Sequence, residues 1–505
     1  MSDYRETILK LDRADAYQEL YDFVRLQPVQ VDQLVIAAVL MLRARRIHGA
    51  YMIAKMLENR SYNPVLAFAQ AVGGFARDVP DDEQNGRRLL QAQVDALPPT
   101  ERSKFYFEFE PLMRTLVGNA FGMDGGMAKV VRLLALLKAF TPALREVFDT
   151  DAPAVPYDQE TIRARGLRSA RLVGGAETST FAGPPRRVLI AMRARVFPQD
   201  PASRAFEVSP LLAEAMTDYG WKVELFAMEW FQHMSEDFSR LSEACRTYRP
   251  DLLILDEQVV QVGEAHAPRA GLIAALRKAT PGAKVVGLHL DPWSIDARAL
   301  ATTAEDVDVV WTFAPDLPAW RDPVFAGKVF KAPLPYPVMT PAHPVGAMHL
   351  AFQGSIASYN WHRWLWLAAA QQFGVPVATG FTKHKTDNLP PMDSFRAYLG
   401  SLSRAGAVLN FGMRSDLSIA LTGRTFEVLA AGALLVQERT PELDNFLVAG
   451  EHYLPFTSFA DLRAIARYVA EAPAGAAEVR RRGHDFFRDH YAPRRIIQTL
   501  DRRLG

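Results

Sequence analysis

One cysteine, Cys245, stands in a chain of 505 residues. A single thiol excludes an intramolecular disulfide framework and a cysteine-built zinc cluster, and it fits a reducing compartment. Net charge is scarce as well: the formal value is +1, so no global field draws nucleic acid. Long apolar runs are missing. The longest near the start, residues 35–42, falls far short of the roughly 20 residues that a membrane-spanning helix needs. The opening residues, MSDYRETILKLDRADAY, are charged from the first turn and hold no signal-peptide core. The expectation is a cytoplasmic protein without a membrane span and without a nucleic-acid partner. Dinucleotide and triphosphate fingerprints are absent too. The apolar run 188–192 (VLIAM) is followed by Arg193-Ala194-Arg195 rather than G-x-G-x-x-G, and no Walker A pattern occurs.

What the chain does have is apolar content, 49%, enough for two or three domains with substantial cores. Residues 1–150 read as all-helical. Val31, Leu34, Val35, Ala38 and Leu42 share one helical face, and Val130, Leu133, Leu134 and Leu137 share another. Pro64, Pro80, Pro98-Pro99 and Pro111 are read as breaks between helical pieces, and Thr141-Pro142 as a stop. No repeat period holds. This block carries no convergent His, Asp or Cys set, and its expected role is oligomerisation or docking of an acceptor. Residues 151–185, opened by Pro153 and Pro156 and closed by Pro184-Pro185, read as a linker.

Beyond it, short apolar runs alternate with helical segments. Residues 188–192, 223–226, 250–255, 284–289 and 307–313 read as parallel strands of a first half, 186–340. A proline-crowded stretch (Pro333, Pro335, Pro337, Pro341, Pro344) separates it from a second half, 345–485, with strands at 348–352, 375–379, 407–411 and 433–436. Residues 486–505 close the chain as a helix. This order specifies an α/β fold of two doubly wound parallel sheets behind an all-α N-terminal domain. Ligands of such sheets collect beyond the carboxyl ends of the strands. The polar groups there are Asp256, Glu257, His289 and Asp291 in the first half. Asp256 and Glu257 read first as solvated loop residues, Asp291 as a turn cap before Pro292, and His289 as equally a packed histidine or a cleft residue. In the second half Gly354-Ser355 follows a strand directly, a place where backbone N–H groups can bind a diphosphate. Lys383 lies in a basic loop, Asn410 stands near the end of the strand 407–411, and Arg414 and Ser415 follow it.

The stretch that organises the rest is 422–446, TGRTFEVLAAGALLVQERTPELDNF. Gly423 leads into a helix carrying Arg424, Thr425 and Glu427. Ala430, Ala431 and Gly432 end it, and a buried strand follows. On an ordinary helix Arg424 and Glu427 would be a surface pair three residues apart. RTFEVLAAG at 424–432, however, closely resembles the nucleotide-sugar signature of GT-B glycosyltransferases, nearest to the group 1-like, spore-maturation (CgeB-like) branch. The resemblance covers about 186–505 and is strongest over 398–456, where Gly450-Glu451 and Tyr453 to Phe456 also fit. It implies two Rossmann-like halves, an acceptor side at 186–340 and a donor side at 345–485, with a terminal helix that crosses back. It implies sugar transfer from a nucleoside-diphosphate sugar to an acceptor hydroxyl, on a protein or glycan, without a metal or any cofactor beyond the donor. Gly354, Ser355, Lys383, Asn410, Arg414, Gly423, Arg424, Thr425 and Glu427 are then donor-binding residues, with Glu427 on the ribose, and His289 or Asp291 is the acceptor-side base. A second acidic residue usual eight positions before that glutamate is replaced by Ile419. That departure keeps open a GT-B-shaped scaffold without turnover, and the fold also admits a sugar-nucleotide epimerase.

Overall fold

The computed structural model describes residues 2–14, 16, 19–20, 22–23, 31–58, 63–121, 126–149, 185–195, 206–228, 234–256, 261–262, 267–268, 272–290, 306–314, 318–342, 348–354, 361–381, 390–412 and 421–505. The expected linker 151–184, Glu257, Asp291, Ser355, Lys383, Arg414, Ser415 and Ile419 lie outside the described residues.

The N-terminal region is helical: α1 Ser2–Arg13, α2 Val31–Arg43, α3 Ile47–Leu57, α4 Pro64–Ala76, α5 Pro80–Ala96, α6 Pro99–Phe121, α7 Gly126–Phe140 and α8 Pro142–Val147. Pro64, Pro80, Pro99 and Pro142 each sit at the first turn, where a missing N–H leaves nothing unsatisfied. Pro111 is the exception to its expected role, because α6 runs straight through it. Its carbonyl accepts the Thr115 hydroxyl at 2.9 Å, and the apolar residues Phe109, Leu112 and Met113 keep the helix packed across the break. Phe68, Phe105, Phe109 and Phe140 form the centre of this block, with ring centroids 5.0 to 6.1 Å apart. Among the described residues no helix is long and apolar enough to cross a membrane.

The first sheet follows. Its strands are β1 Arg187–Arg193, β2 Lys222–Met228, β3 Leu252–Asp256, β6 Lys284–His289, β7 Val309–Thr312 and β8 Val329–Lys331, in the order β2-β1-β3-β6-β7-β8 and all parallel. A separate antiparallel pair, β4 Gln261–Val262 and β5 Ala267–Pro268, precedes β6. Both faces of its central strands are covered, so β1, β3, β6 and β7 are apolar without alternation, whereas the edge strand β2 is largely exposed. Val188, Ile190 and Met192 face α9 Val208–Tyr219, whereas Leu189 and Ala191 face α10 Met234–Tyr248 and α11 Leu272–Ala279.

The second sheet has β9 His349–Gly354, β10 Val377–Phe381, β11 Gly406–Asn410, β12 Leu434–Glu438 and β13 Leu454–Phe456, ordered β10-β9-β11-β12-β13 and parallel throughout. Its helices are α12 Trp361–Gln372, α13 Pro391–Ala405, α14 Arg424–Ala430, α15 Phe459–Glu471, α16 Pro473–Tyr491 and α17 Pro493–Leu504. This is the two-sheet, doubly wound architecture behind a helical N-terminal region that the order of apolar runs and helical segments specifies. Strand order reverses between β1 and β3 in one sheet and between β9 and β11 in the other. Those two points mark the ligand crevices of such sheets.

Among the described residues, contacts from α12 and α17 help tie the parts together. The helical block packs on the outer face of the second sheet through α12, with Phe148 against Trp366 at 4.7 Å. The last helix, α17, returns to α9 of the first half. There Asp501 accepts Arg186 Nε at 2.8 Å and the Tyr219 hydroxyl at 3.2 Å.

Candidate functional site

β9 and β11 end side by side, and their last residues are Gly354 and Asn410. The short helix α14 lies beside these ends, and three devices fix it there. Asn410 Nδ2 donates to Gln437 Oε1 (2.6 Å) and to Thr422 Oγ1 (2.9 Å), and Thr425 Oγ1 donates to the same Gln437 oxygen (3.0 Å). Asn410, Thr425 and Gln437 are buried, so this network anchors the entry to α14 from β11 and β12. At the exit Gly432 has φ +67, and a Cβ there would lie 2.7 Å from Pro341 Cγ. Only glycine meets both demands. Arg480 then clamps this turn to the interdomain stretch, donating to Gly432 O (2.5 Å) and Ala342 O (2.6 Å).

Held this way, α14 presents Arg424 and Glu427. Arg424 Nε donates to the Tyr398 hydroxyl at 3.1 Å, and that hydroxyl donates to Glu427 Oε2 at 2.9 Å. The guanidinium lies between the Phe352 and Tyr398 rings, 5.9 and 6.0 Å from their centroids. Its Nη1 end reaches Gly354: a Cβ on that glycine would lie 2.0 Å from Nη1. Nη1 is buried and has no hydrogen-bond partner among the described residues. Burial pushes the Tyr398 hydroxyl well above its ordinary value, and the Glu427 carboxylate adds to that. Burial opposes the charge on Arg424, but Tyr398 and Glu427 outweigh it and hold the guanidinium above its usual value. From the interdomain stretch Tyr336 brings a second phenol, raised by burial and then by Glu427, Glu207 and Tyr398. A Cβ on Gly423 would come within 2.6 Å of its oxygen, so Gly423 is what lets Tyr336 approach.

The structure therefore brings Gly354, Gly423, Arg424 and Glu427 together at the strand-order reversal of the second sheet, while Asn410 and Thr425 stand behind them as anchors. Tyr398 and Tyr336 belong to the same group, and sequence reasoning assigned them no role. Tyr398 lies in the segment 391–405 that the resemblance covers, but no spacing signal joins it to residues 26 and 29 positions later.

In the first half the polar candidates separate. Asp256, expected in a solvated loop, is only 3% exposed. It ends β3 at the strand-order reversal and pairs with Arg193 of β1 at 3.3 Å, whose guanidinium stacks 4.1 Å from the Phe206 ring. The tight strand pairing buries both side chains, and each then needs the other's charge. His289 ends β6 fully buried, beside Gly287 and Val307 and 6.4 Å from the Trp320 ring. Desolvation lowers its pKa from 6.5 to about 4. A neutral imidazole of that strength is a poor base, and its ring is packed rather than presented.

This burial has a pH consequence. The unfolded histidine takes a proton near pH 6.5, whereas the folded one resists until about pH 4. The folded pKa is the depressed one, so His289 contributes stability that is present above pH 6.5 and lost as pH falls through that window. His452, lowered to about 4 by burial with help from His490 and Arg482, acts in the same sense. A His289→Gln variant is expected to flatten the acid limb of the stability–pH curve between pH 6.5 and 4, by up to about 1.4 kcal/mol per pH unit. Denaturant midpoints across that range check it, and an unchanged slope would contradict it.

Residues 350–502 match the family described as glycosyl transferase-like. No curated protein matches the chain. Solved structures that resemble it include HepE from Anabaena in complex with UDP and glucose, at 9% identity, TM-score 0.41, covering 63% of this chain and 99% of that one. Sucrose-phosphate synthase from Thermosynechococcus elongatus aligns at 13% identity, TM-score 0.41, over 63% and 99% of the two chains. AviGT4, a glycosyltransferase involved in avilamycin A biosynthesis, aligns at 15% identity, TM-score 0.41, over 63% and 98%.

Proposed function

We propose, from a second half that is glycosyl transferase-like in sequence and a crevice built around Arg424, that the protein transfers a sugar from a nucleoside-diphosphate sugar to an acceptor hydroxyl. The observation that carries this reading is the buried Nη1 of Arg424, aimed across the side-chain-free Gly354 at the strand-order reversal of the second sheet. A buried guanidinium N–H without an acceptor is costly, and an anion supplied by a ligand satisfies it. In the transfer the acceptor oxygen bonds to the anomeric carbon and loses its proton, while the bond from that carbon to the diphosphate breaks. Negative charge then grows on the departing diphosphate, where Arg424 stabilises it. Glu427, whose Oε2 accepts the Tyr398 hydroxyl and whose Oε1 lies on the Gly423 side, is assigned to the donor hydroxyls.

The acceptor-side base is sought at the end of β6, with Asp291 ahead of the packed His289. The helical block, docked on the outer face of the donor half, is assigned to holding an acceptor protein or glycan or to self-association. A cytoplasmic location fits the reducing composition.

Incubation with UDP-, GDP-, CDP- and TDP-sugars tests the proposal. One donor is expected to release its nucleoside diphosphate, and Glu427→Ala is expected to lower that rate about 100-fold, the scale of two lost hydroxyl hydrogen bonds. Equal release by both proteins would remove Glu427 from the reaction.

A further inference from the structure

Arg424 and Glu427 carry opposite charges on one turn of α14, yet they meet through a third group. The Tyr398 hydroxyl takes the Nε–H of one and gives its own proton to the other. That hydroxyl is itself held by its helix. On α13, Arg396 pairs with Glu214 of α9 in the first half, and Ser401 Oγ lies 2.6 Å from Gln353 Oε1 at the end of β9. The Tyr398 ring is further wedged by Phe395, at 6.0 Å.

We propose that Tyr398 is a positioning residue whose hydroxyl keeps Arg424 and Glu427 from collapsing into a direct ion pair, and so leaves Nη1 of Arg424 directed across Gly354 for a diphosphate. The inference rests on the donor-site reading of this crevice and adds how that site is kept open. Its physics is a competition. A guanidinium and a carboxylate in a low-dielectric crevice attract each other strongly. With the hydroxyl between them, each satisfies part of its demand there, and Glu427 no longer competes with the ligand for the guanidinium. Without it, the nearest partner for Arg424 is Glu427, and the fork swings away from Gly354. Phenylalanine removes the hydroxyl and keeps the ring packing.

The test is a double-mutant cycle. Wild type, Tyr398→Phe, Glu427→Gln and the double variant are titrated with inorganic pyrophosphate, which lacks ribose and base, so a contact between Glu427 and a sugar does not enter the cycle. Tyr398→Phe is expected to weaken pyrophosphate about tenfold in the wild-type background, the scale of one charge-assisted hydrogen bond. In the Glu427→Gln background, where no carboxylate remains to capture Arg424, the same change is expected to do about twofold or less. A purely structural tyrosine would weaken binding equally in both backgrounds, and that result would overturn the proposal. So would wild-type affinity in Tyr398→Phe. The wild type is titrated in parallel with UDP, GDP, CDP and TDP. If it binds none of these and no pyrophosphate, the donor-site reading falls and this proposal falls with it. If it binds and the cycle is additive, only the role of Tyr398 falls.

Discussion

Gly354→Ala is expected to weaken nucleotide binding about 100-fold while leaving the protein folded. The added methyl would lie 2.0 Å from Arg424 Nη1, 2.9 Å from its Cζ and 3.0 Å from Nη2. All three atoms belong to the far end of one flexible side chain, which can swing away. The backbone of Gly354 lies outside the left-handed region, so alanine strains nothing locally. Restricting the unfolded chain even favours the alanine by about 0.4–1 kcal/mol. The effect therefore falls on the ligand rather than on the fold. Losing a charge-assisted contact to a buried phosphate, plus the shift of Arg424, predicts a loss of about 100-fold in affinity, or roughly 2.7 kcal/mol. Gly483→Ala is the contrasting control. There the methyl would meet the His452 carbonyl oxygen, a backbone atom, at 2.3 Å, and stability is expected to fall. Isothermal titration with a nucleoside diphosphate, beside thermal melts of the free proteins, checks both halves. A Gly354→Ala protein that binds as wild type does would show that Arg424 is not the anion's partner.

The largest expected effect on stability lies at the other end of the chain. Asp501 has no exposed side-chain surface and Arg186 little, and the two pair at 2.8 Å with the Tyr219 hydroxyl as a second donor. Asp501→Ala removes the carboxylate that both Arg186 Nε and the buried Tyr219 hydroxyl donate to. Breaking one side of a buried ion pair costs about 3–5 kcal/mol, well above the ~1 kcal/mol of a surface pair. Arg396–Glu214, another cross-link between the halves, is a half-exposed pair, and Arg396→Ala is expected to change stability by less than about 1 kcal/mol. Asp501→Asn keeps one acceptor oxygen for Tyr219 or Arg186 and should fall between. Denaturant midpoints rank the three variants, and a ranking with Arg396→Ala as the most harmful would contradict the account. Because α17 carries Asp501 back onto α9, the same substitution loosens the seam on which the relative placement of the two halves depends.

How much of this was legible before the structure follows from the range of each interaction. Runs such as VLIAM and LLIL announced strands because a parallel sheet buried on both faces has no reason to alternate. RTFEVLAAG announced α14 and its turn because a helix of that length and its glycine exit are decided within nine neighbouring residues. β8 was missed: it is three residues long, ends in a lysine, and is fully buried only at Phe330. Pro111 was misread as a break because packing across α6 outweighs a single lost hydrogen bond. The remaining cases were out of reach for a different reason. Arg193 and Asp256 lie 63 residues apart, on strands that become neighbours only through the strand-order reversal. Phe148 and Trp366 meet across the whole first half. Tyr398 has no motif, since its position matters only through where α13 crosses α14. Local chemistry was readable, and the partners that tune it were not.

The most direct test of the central claim is a thermal-shift titration of the wild type and Arg424→Ala with UDP, GDP, CDP and TDP. The account predicts that one nucleotide raises the wild-type melting temperature in a concentration-dependent way and leaves Arg424→Ala unmoved. The same rise in both proteins, or no rise with any of the four, would contradict a donor site built on Arg424 across Gly354.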